Sequence, residues 1–242
     1  MEINACVGPV APSLGLANGH CANPILSPAP QNFGGNMTIR RQFLVLFTVL
    51  IVFAAKGSGT LADPLDDGIA AYEAGAFEEA VGLWRPLAEG GDPIAQNYLA
   101  FAYSEGQGLA EDDVEAVRWY LLAADQDSLY AAFRLGLHYN LGEGVTKDDV
   151  EGVRWYRFAA ERGFAPAQLS LAIHYQSGRG IPRSSEEALA WAMLSAEQGY
   201  RQAIGFLSTL NEEVTVEAKQ RGEELAQTYW DRYIVPFRNQ AP

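Results

Sequence analysis

The sequence has few of the side chains on which catalytic and metal sites usually depend. Its 242 residues include two cysteines, Cys6 and Cys21, and three histidines. Both cysteines lie near the amino terminus, so the rest of the chain has neither a disulfide framework nor a thiolate metal site. Three histidines, one of them also near the amino terminus, leave little material for histidine-based catalysis. The composition indicates a soluble, acidic protein but does not identify an enzymatic reaction.

Positive charge is also scarce. The chain has 30 acidic and 17 basic residues, and 29 of the acidic but only 14 of the basic residues follow residue 62, which leaves that part with a net charge of −15. Phosphate groups are bound by clustered lysine and arginine, so this balance argues against nucleic acid and anionic membranes as partners. With 48% apolar residues, the chain is long enough for one or two domains with a true core.

The segment before Asp63 differs in composition from the rest of the chain. We interpret residues 1–36, which are rich in Pro, Gly, Asn and Ala, as an upstream extension of the reading frame, with Met37 as the start. Residues 37–62 have the pattern of a signal peptide: two arginines, the apolar run 43–55, and small residues before Asp63. The run is shorter than the roughly 17–25 residues that cross a bilayer. We therefore predict export to the periplasm or out of the cell, with an uncleaved signal anchor as the alternative.

The remainder of the chain repeats with a period of 36 residues. Several positions carry the same residue at each recurrence, which is the sequence signature of a repeat array. These positions are Trp119, Trp155 and Trp191; Tyr103, Tyr139 and Tyr175; Gly106, Gly142 and Gly178; Gly108, Gly144 and Gly180; Ala95, Ala131 and Ala167; and Leu99, Leu135 and Leu171. The period divides the chain into a short first repeat (63–92), three full repeats (93–128, 129–164 and 165–200) and a C-terminal capping helix pair with a tail (201–242).

Each repeat is predicted to be a pair of antiparallel helices. In the repeat 93–128 the first helix begins at Pro93, and a glycine pair ends it, because glycine tolerates the positive φ of a helix stop. The second helix begins with a capping box, Asp112 and Glu115, and the following repeats have equivalent pairs. Its small residues and Trp119 predict close packing of the two helices, with the repeated tryptophans in the core.

The repeat resembles the Sel-one-like repeat (SLR), a longer-loop relative of the tetratricopeptide repeat. The resemblance rests on the strings Ala95-x3-Leu99-Ala100-x2-Tyr103-x2-Gly106-x-Gly108 and Asp113-x2-Ala116-x2-Trp119-Tyr120-x2-Ala123-Ala124, and on their recurrence in the next two repeats. It implies an all-α fold, an α/α superhelical solenoid of about five helix-pair repeats. It also implies a scaffolding or adaptor role, with some bacterial relatives acting as periplasmic regulators of sensor kinases.

Other patterns in the repeats have simpler interpretations than a catalytic or cofactor site. His138 and His174 occupy the same position of successive repeats, but a metal site needs further donors, and the sequence pattern supplies none nearby. The glycine pairs join two helices, whereas a phosphate loop follows a strand. The paired aspartates at 112–113 and 148–149 are explained by helix capping. We predict no catalytic, cofactor-binding or metal-binding residues, no cofactor, and no enzymatic activity.

A binding surface is predicted on the first helices, which line the concave side of tetratricopeptide-like arrays. When the repeated positions are removed, these helices keep a stripe of variable residues, since residues three and four apart share a helix face. The stripe offers Tyr98, Arg134, His138 and His174, which include residue types enriched at interface hot spots. We predict that these four residues contribute to partner binding.

Two functions of different class follow from these observations. The first is an exported, non-catalytic scaffold that binds a protein or peptide of the cell envelope. The second is an envelope hydrolase acting on peptidoglycan or β-lactams, for which the sequence shows neither nucleophile nor base. A pocket with a cluster of carboxylates of perturbed pKa would favour the hydrolase.

Overall fold

The computed structural model describes residues 63–235, and over this range the chain is entirely helical, with no strand. The helices are α1 (Pro64–Glu73), α2 (Phe77–Glu89), α3 (Pro93–Glu105), α4 (Asp113–Ala124), α5 (Leu129–Leu141), α6 (Asp149–Ala160), α7 (Ala165–Ser177), α8 (Ser185–Glu197), α9 (Arg201–Glu213) and α10 (Val216–Tyr229), followed by a π-helical segment (Trp230–Ile234). The prediction of an all-α repeat array is confirmed.

The predicted upstream extension, residues 1–36, and the predicted signal peptide, residues 37–62, lie outside the described residues. Among residues 63–235, no helix is both long and apolar enough to cross a bilayer.

Consecutive helices pack on one another along the array. α1 pairs with α2, α3 with α4, α5 with α6, and α7 with α8, and each second helix also packs on the first helix of the next pair. The core is a continuous layer between them, built from small and large apolar residues, with the repeated alanines and leucines fully buried. Each repeat is therefore stabilised mainly by its neighbours, as in other solenoids.

The capping boxes of the second helices form only in part. The carboxylate of Asp112 accepts the backbone N–H groups of Val114 and Glu115 at 3.0 and 3.1 Å, as predicted. However, the N–H of Asp112 donates to the carbonyl oxygen of Tyr103, so it does not need the Glu115 side chain, which pairs with Arg118 instead. The cap N–H groups of Asp148 and Ser184 donate likewise to Tyr139 and Tyr175.

The second glycine of each inter-helix loop allows neighbouring repeats to approach closely. Gly108, Gly144 and Gly180 have φ values of 74°, 69° and 68°. A Cβ at these positions would overlap the backbone carbonyl group of Phe77, Asp113 and Asp149, respectively, so only glycine fits. Each loop thereby packs directly on the start of the second helix of the preceding repeat. We call these three contacts the repeat junctions.

The repeated tryptophans are buried to different degrees. Trp119 and Trp191 are 5% and 1% exposed, whereas Trp155 is only half-buried. The prediction that all three lie in the core is therefore wrong for Trp155. α6 packs mainly on α5 and α7, whereas α8 is also covered by α10, whose Tyr229 ring is tilted against that of Trp191 with the ring centroids 4.9 Å apart.

The last two helices, α9 and α10, both pack mainly on α8. α10 packs along α8 rather than α9, and Gly222 permits this approach because a Cβ there would lie 2.7 Å from the Cβ of Leu189. Arg221 forms an ion pair with Glu186 at 2.7 Å, and the Tyr229 hydroxyl donates to the Glu187 carboxylate at 3.0 Å. The C-terminal helix thus covers the outer side of α8.

Candidate functional site

The structure places the four predicted binding residues at the edge of the core rather than on an open surface. Tyr98 is 8% exposed, and its ring stacks on Trp84 with the centroids 4.6 Å apart. The Arg134 side chain is 14% exposed and donates from Nη2 to Ser104 Oγ at 2.9 Å and to Glu105 Oε1 at 3.3 Å. Arg134 therefore links α5 to α3.

The two histidines are buried. In both, Nδ1 lies within hydrogen-bond distance of a loop carbonyl oxygen, that of Glu143 at 3.1 Å for His138 and that of Arg179 at 2.8 Å for His174. Nε2 of His174 also lies 2.8 Å from the Asn140 amide nitrogen. Burial lowers the pKa of both imidazoles. These side chains hold the loops in place, and their predicted contribution to partner binding stays a prediction.

The exposed face of the first helices is rotated by roughly 50°, about half a residue step, from the predicted stripe. Positions 2, 9 and 13 of each 13-residue first helix lie within about 40° of one another, because seven and eleven residues are close to whole numbers of turns. The large apolar residues at these positions are exposed or half-buried. We define the first-helix face by Ile94 and Phe101 on α3, Tyr130, Leu137 and Leu141 on α5, and Ile173 on α7.

Three of these apolar side chains are well exposed: Ile94 by 40%, Leu141 by 54% and Ile173 by 44%. The stripe of variable residues, which also contains Leu141 at the end of α5, does not include Ile94 and Ile173, which lie at other positions of their helices. Arg134 lies beside the face, with its guanidinium carbon 5.4 Å from the ring centre of Phe101. The face is thus apolar, with a cationic group at its side.

The second repeat junction brings together side chains that are distant in the sequence. Nδ1 of His138 on α5 lies 4.0 Å from the carboxylate of Asp113, which belongs to α4 of the preceding repeat, and the exposed Glu143 is next to both. At the third junction the equivalent residues are Asp149, His174 and Arg179, and Arg179 Nη2 donates to Asp149 at 2.9 Å. This hydrogen bond lowers the pKa of the Asp149 carboxyl.

A pocket between α8 and α10 contains several carboxylates. Its lining includes Glu186, Glu187, Arg221 and Glu224. Arg221 holds the pKa of the Glu186 carboxyl below its usual range, so this group is ionised and already paired at neutral pH. A general acid needs a raised pKa, and the pKa of Glu186 is shifted in the opposite direction.

Comparison with known families agrees with the helix-pair geometry. The Sel1 repeat model matches residues 93–128, 129–164 and 165–200. No curated protein matches the sequence. These three matched segments are the helix pairs α3–α4, α5–α6 and α7–α8 with their double-glycine loops.

Two solved structures of bacterial proteins are similar to this chain. The Sel1 repeat protein from Oxalobacter formigenes is 35% identical, with a TM-score of 0.56, and the match covers 59% of this chain and 59% of that one. A protective antigen present in uropathogenic Escherichia coli strains, which displays an SLR fold, is 25% identical, with a TM-score of 0.46, and the match covers 78% of this chain and 49% of that one. The chain therefore spans less than two thirds of either protein.

The helix pairs, the glycine loops and the family match define a helical repeat protein of the scaffold class. The chain contains three consecutive Sel1 (SLR) repeats, over residues 93–200, and is similar to Sel1 repeat proteins. Proteins with these repeats generally mediate protein–protein interactions and are typically non-catalytic.

Proposed function

We propose that this protein is an exported, non-catalytic adaptor whose first-helix face binds a protein or peptide of the cell envelope. The observation that carries the proposal is the exposure of large apolar side chains on one face of three successive first helices. Ile94, Leu141 and Ile173 would each be stabilised by burial against a partner, since burying such a side chain contributes about 1.5–3 kcal/mol.

Charge supports a protein partner with basic segments. Acidic residues outnumber basic residues by 15 after residue 62, and complementary charge accelerates association and selects partners. Arg134 beside the face would provide a contact for a carboxylate or an aromatic ring of the partner. The other three residues of the predicted stripe, Tyr98, His138 and His174, would act by holding the face in shape.

The binding face is tested with a matched pair of substitutions. Ile173→Arg places a charge on the first-helix face, at a side chain 44% exposed, and Val150→Arg places the same charge at another exposed apolar site, 65% exposed, on the second helix α6. Each variant serves as bait for affinity capture from the envelope fraction, followed by mass spectrometry. We expect Ile173→Arg to reduce recovery of the bound partner about tenfold or more, and Val150→Arg to leave it unchanged. Equal recovery with both variants would contradict the proposed face.

Export is tested separately. The motive is the arginine pair and the apolar run before Asp63. Fractionation of cells and amino-terminal sequencing of the native protein should locate it outside the cytoplasm with a new amino terminus at about residue 63. An amino terminus near Met1 or Met37 in a cytoplasmic protein would contradict export without bearing on the first-helix face.

A further inference from the structure

The junction between repeats 93–128 and 129–164 contains three side chains that are common metal ligands. Asp113 comes from the first turn of α4, His138 from α5, and Glu143 from the loop after α5. One ligand atom of each lies within 4.8 Å of those of the other two. The close approach of Gly144 to the Asp113 backbone holds the loop against the helix, so the grouping is built into the fold.

The other two junctions provide internal comparisons, because the backbone repeats while the side chains change. The positions of Asp113, His138 and Glu143 are taken at the first junction by Phe77, Ala102 and Gln107, and at the third by Asp149, His174 and Arg179. The first set has no charge. The third set contains a cation, since the Arg179 guanidinium lies 2.9 Å from the Asp149 carboxylate.

The second junction differs from the third mainly by one reversal of charge. Glu143 stands where the next repeat has Arg179, so two carboxylates face the imidazole of His138. The nearby cation Arg134, one turn before His138, donates to Ser104 and to a different carboxylate, that of Glu105. The second junction thus has an aspartate, Asp113, at the position of Asp149 in the third junction, but it has no arginine equivalent to Arg179 to pair with this aspartate.

We propose that Asp113, His138 and Glu143 bind a divalent transition-metal cation, with zinc as the representative, at the position that the Arg179 guanidinium takes in the next junction. One imidazole nitrogen with carboxylate oxygens is a donor set typical of zinc and related cations. Calcium and magnesium prefer oxygen ligands alone, so they fit less well.

The site must change in two respects to accept the cation: the carboxylates must approach His138, and Nδ1 of His138 must release its hydrogen bond to the loop. Zinc ligands lie about 2.0–2.2 Å from the metal, which places the donor atoms about 3.4 Å apart. Glu143 is exposed, and the Asp113 side chain is 28% exposed, so rotation of these two side chains can close the gap. His138 would bind through Nδ1 as the tautomer with its proton on Nε2, so Nδ1 would exchange its hydrogen bond to the Glu143 carbonyl oxygen, 3.1 Å away, for the cation. The bound cation would join two successive repeats and stabilise their junction.

The test uses the full chain without an affinity tag, stripped with EDTA and titrated with zinc chloride. Saturating zinc at about 100 times its Kd should raise the Tm by about 5–10 °C. Isothermal titration calorimetry should show about one equivalent of zinc bound at this junction. Glu143→Gln and Asp113→Asn should remove both effects. Glu111→Gln, which neutralises an exposed acid in the preceding loop, is the matched control and should keep them. For each variant, the zinc-induced change in Tm and the amount of bound zinc are compared with those of the wild type. Zinc ligands elsewhere in the chain are common to all variants, so their contribution cancels.

Two charge exchanges make the test decisive. Glu143→Arg should copy the third junction, so that the Tm in EDTA stays at or above that of the wild type while the zinc response at this junction disappears. Arg179→Glu should add a second zinc equivalent by copying the second junction. The proposal is overturned if Glu143→Gln binds as much zinc as the wild type, or if Glu111→Gln loses the response equally.

Discussion

Replacing Gly180 by alanine measures how closely neighbouring repeats must approach. Gly180 has a φ of 68°, and a Cβ there would overlap the carbonyl group of Asp149 in the preceding repeat. Gly199 has a similar φ of 80°, but no atom lies within 4 Å of the place that its Cβ would take. The two substitutions therefore share the same backbone penalty, and only Gly180→Ala adds a steric conflict between repeats.

The expected loss of stability follows from these two contributions. Alanine in the left-handed region costs about 1–2 kcal/mol, and this applies to both variants. Overpacking costs about 1–3 kcal/mol more, because the obstacle for Gly180→Ala is backbone at the start of α6 that cannot rotate away as a side chain could. We expect Gly180→Ala to be less stable than Gly199→Ala by about 2 kcal/mol, which corresponds to a Tm about 4–8 °C lower.

Differential scanning calorimetry of the wild type and both variants tests this reasoning. The transition of Gly180→Ala should also broaden, since a weakened junction lets the two sides of the array unfold less cooperatively. If the two variants melt at the same temperature, the junction does not depend on close backbone approach, and the explanation of the repeated second glycine is wrong.

Three further outcomes are expected. Trp84→Ala should cost about 3–5 kcal/mol in urea unfolding, because the side chain is fully buried, and Trp155→Ala, at a half-buried site, should cost clearly less; equal losses would contradict the burial pattern. The lowered pKa of His174 means that the unfolded chain takes up the proton first, so stability should fall as the pH decreases below about 6.5. Melting in EDTA at pH 7.5 and 5.5 should show a smaller pH effect in His174→Gln, and an unchanged effect would refute the assignment. Tyr229→Ala should uncover Trp191 and increase acrylamide quenching of tryptophan fluorescence; quenching equal to the wild type would show that α10 does not cover α8 in solution.

The helix pairs could be predicted from the sequence because their signals are local and repeat. The cap at Asp112, the glycine stops and the regular period all agree, and each depends on the backbone within one loop. At the 36-residue period, Asp127 takes the position of Gly163 and Gly199, and it has the same positive φ, 62°. The helix ends are therefore specified by local interactions and do not depend on how the helices pack together.

The orientation of the binding face could not be predicted in the same way. A step of one residue turns a helix by about 100°, so a small error of assignment exchanges buried and exposed positions. His138 and His174 were assigned to the binding stripe because they lie outside the repeated core positions, yet loop carbonyl groups pair with them inside the fold. Leu141 and Ile173 are apolar and nevertheless exposed.

Caps, glycine turns and periodicity act within a single repeat, so they are sufficient to specify the helices, their ends and their repetition. The tertiary structure alone decided which residues of different repeats meet. Asp113 and His138 belong to successive repeats and come together only because Gly144 lets a loop pack against the helix of the preceding repeat. α10 covers α8 rather than α9 for a related reason, since Gly222 allows close approach to Leu189 and the Tyr229 ring packs against Trp191. Such contacts depend on the shapes of two surfaces, and no pattern within one segment specifies them.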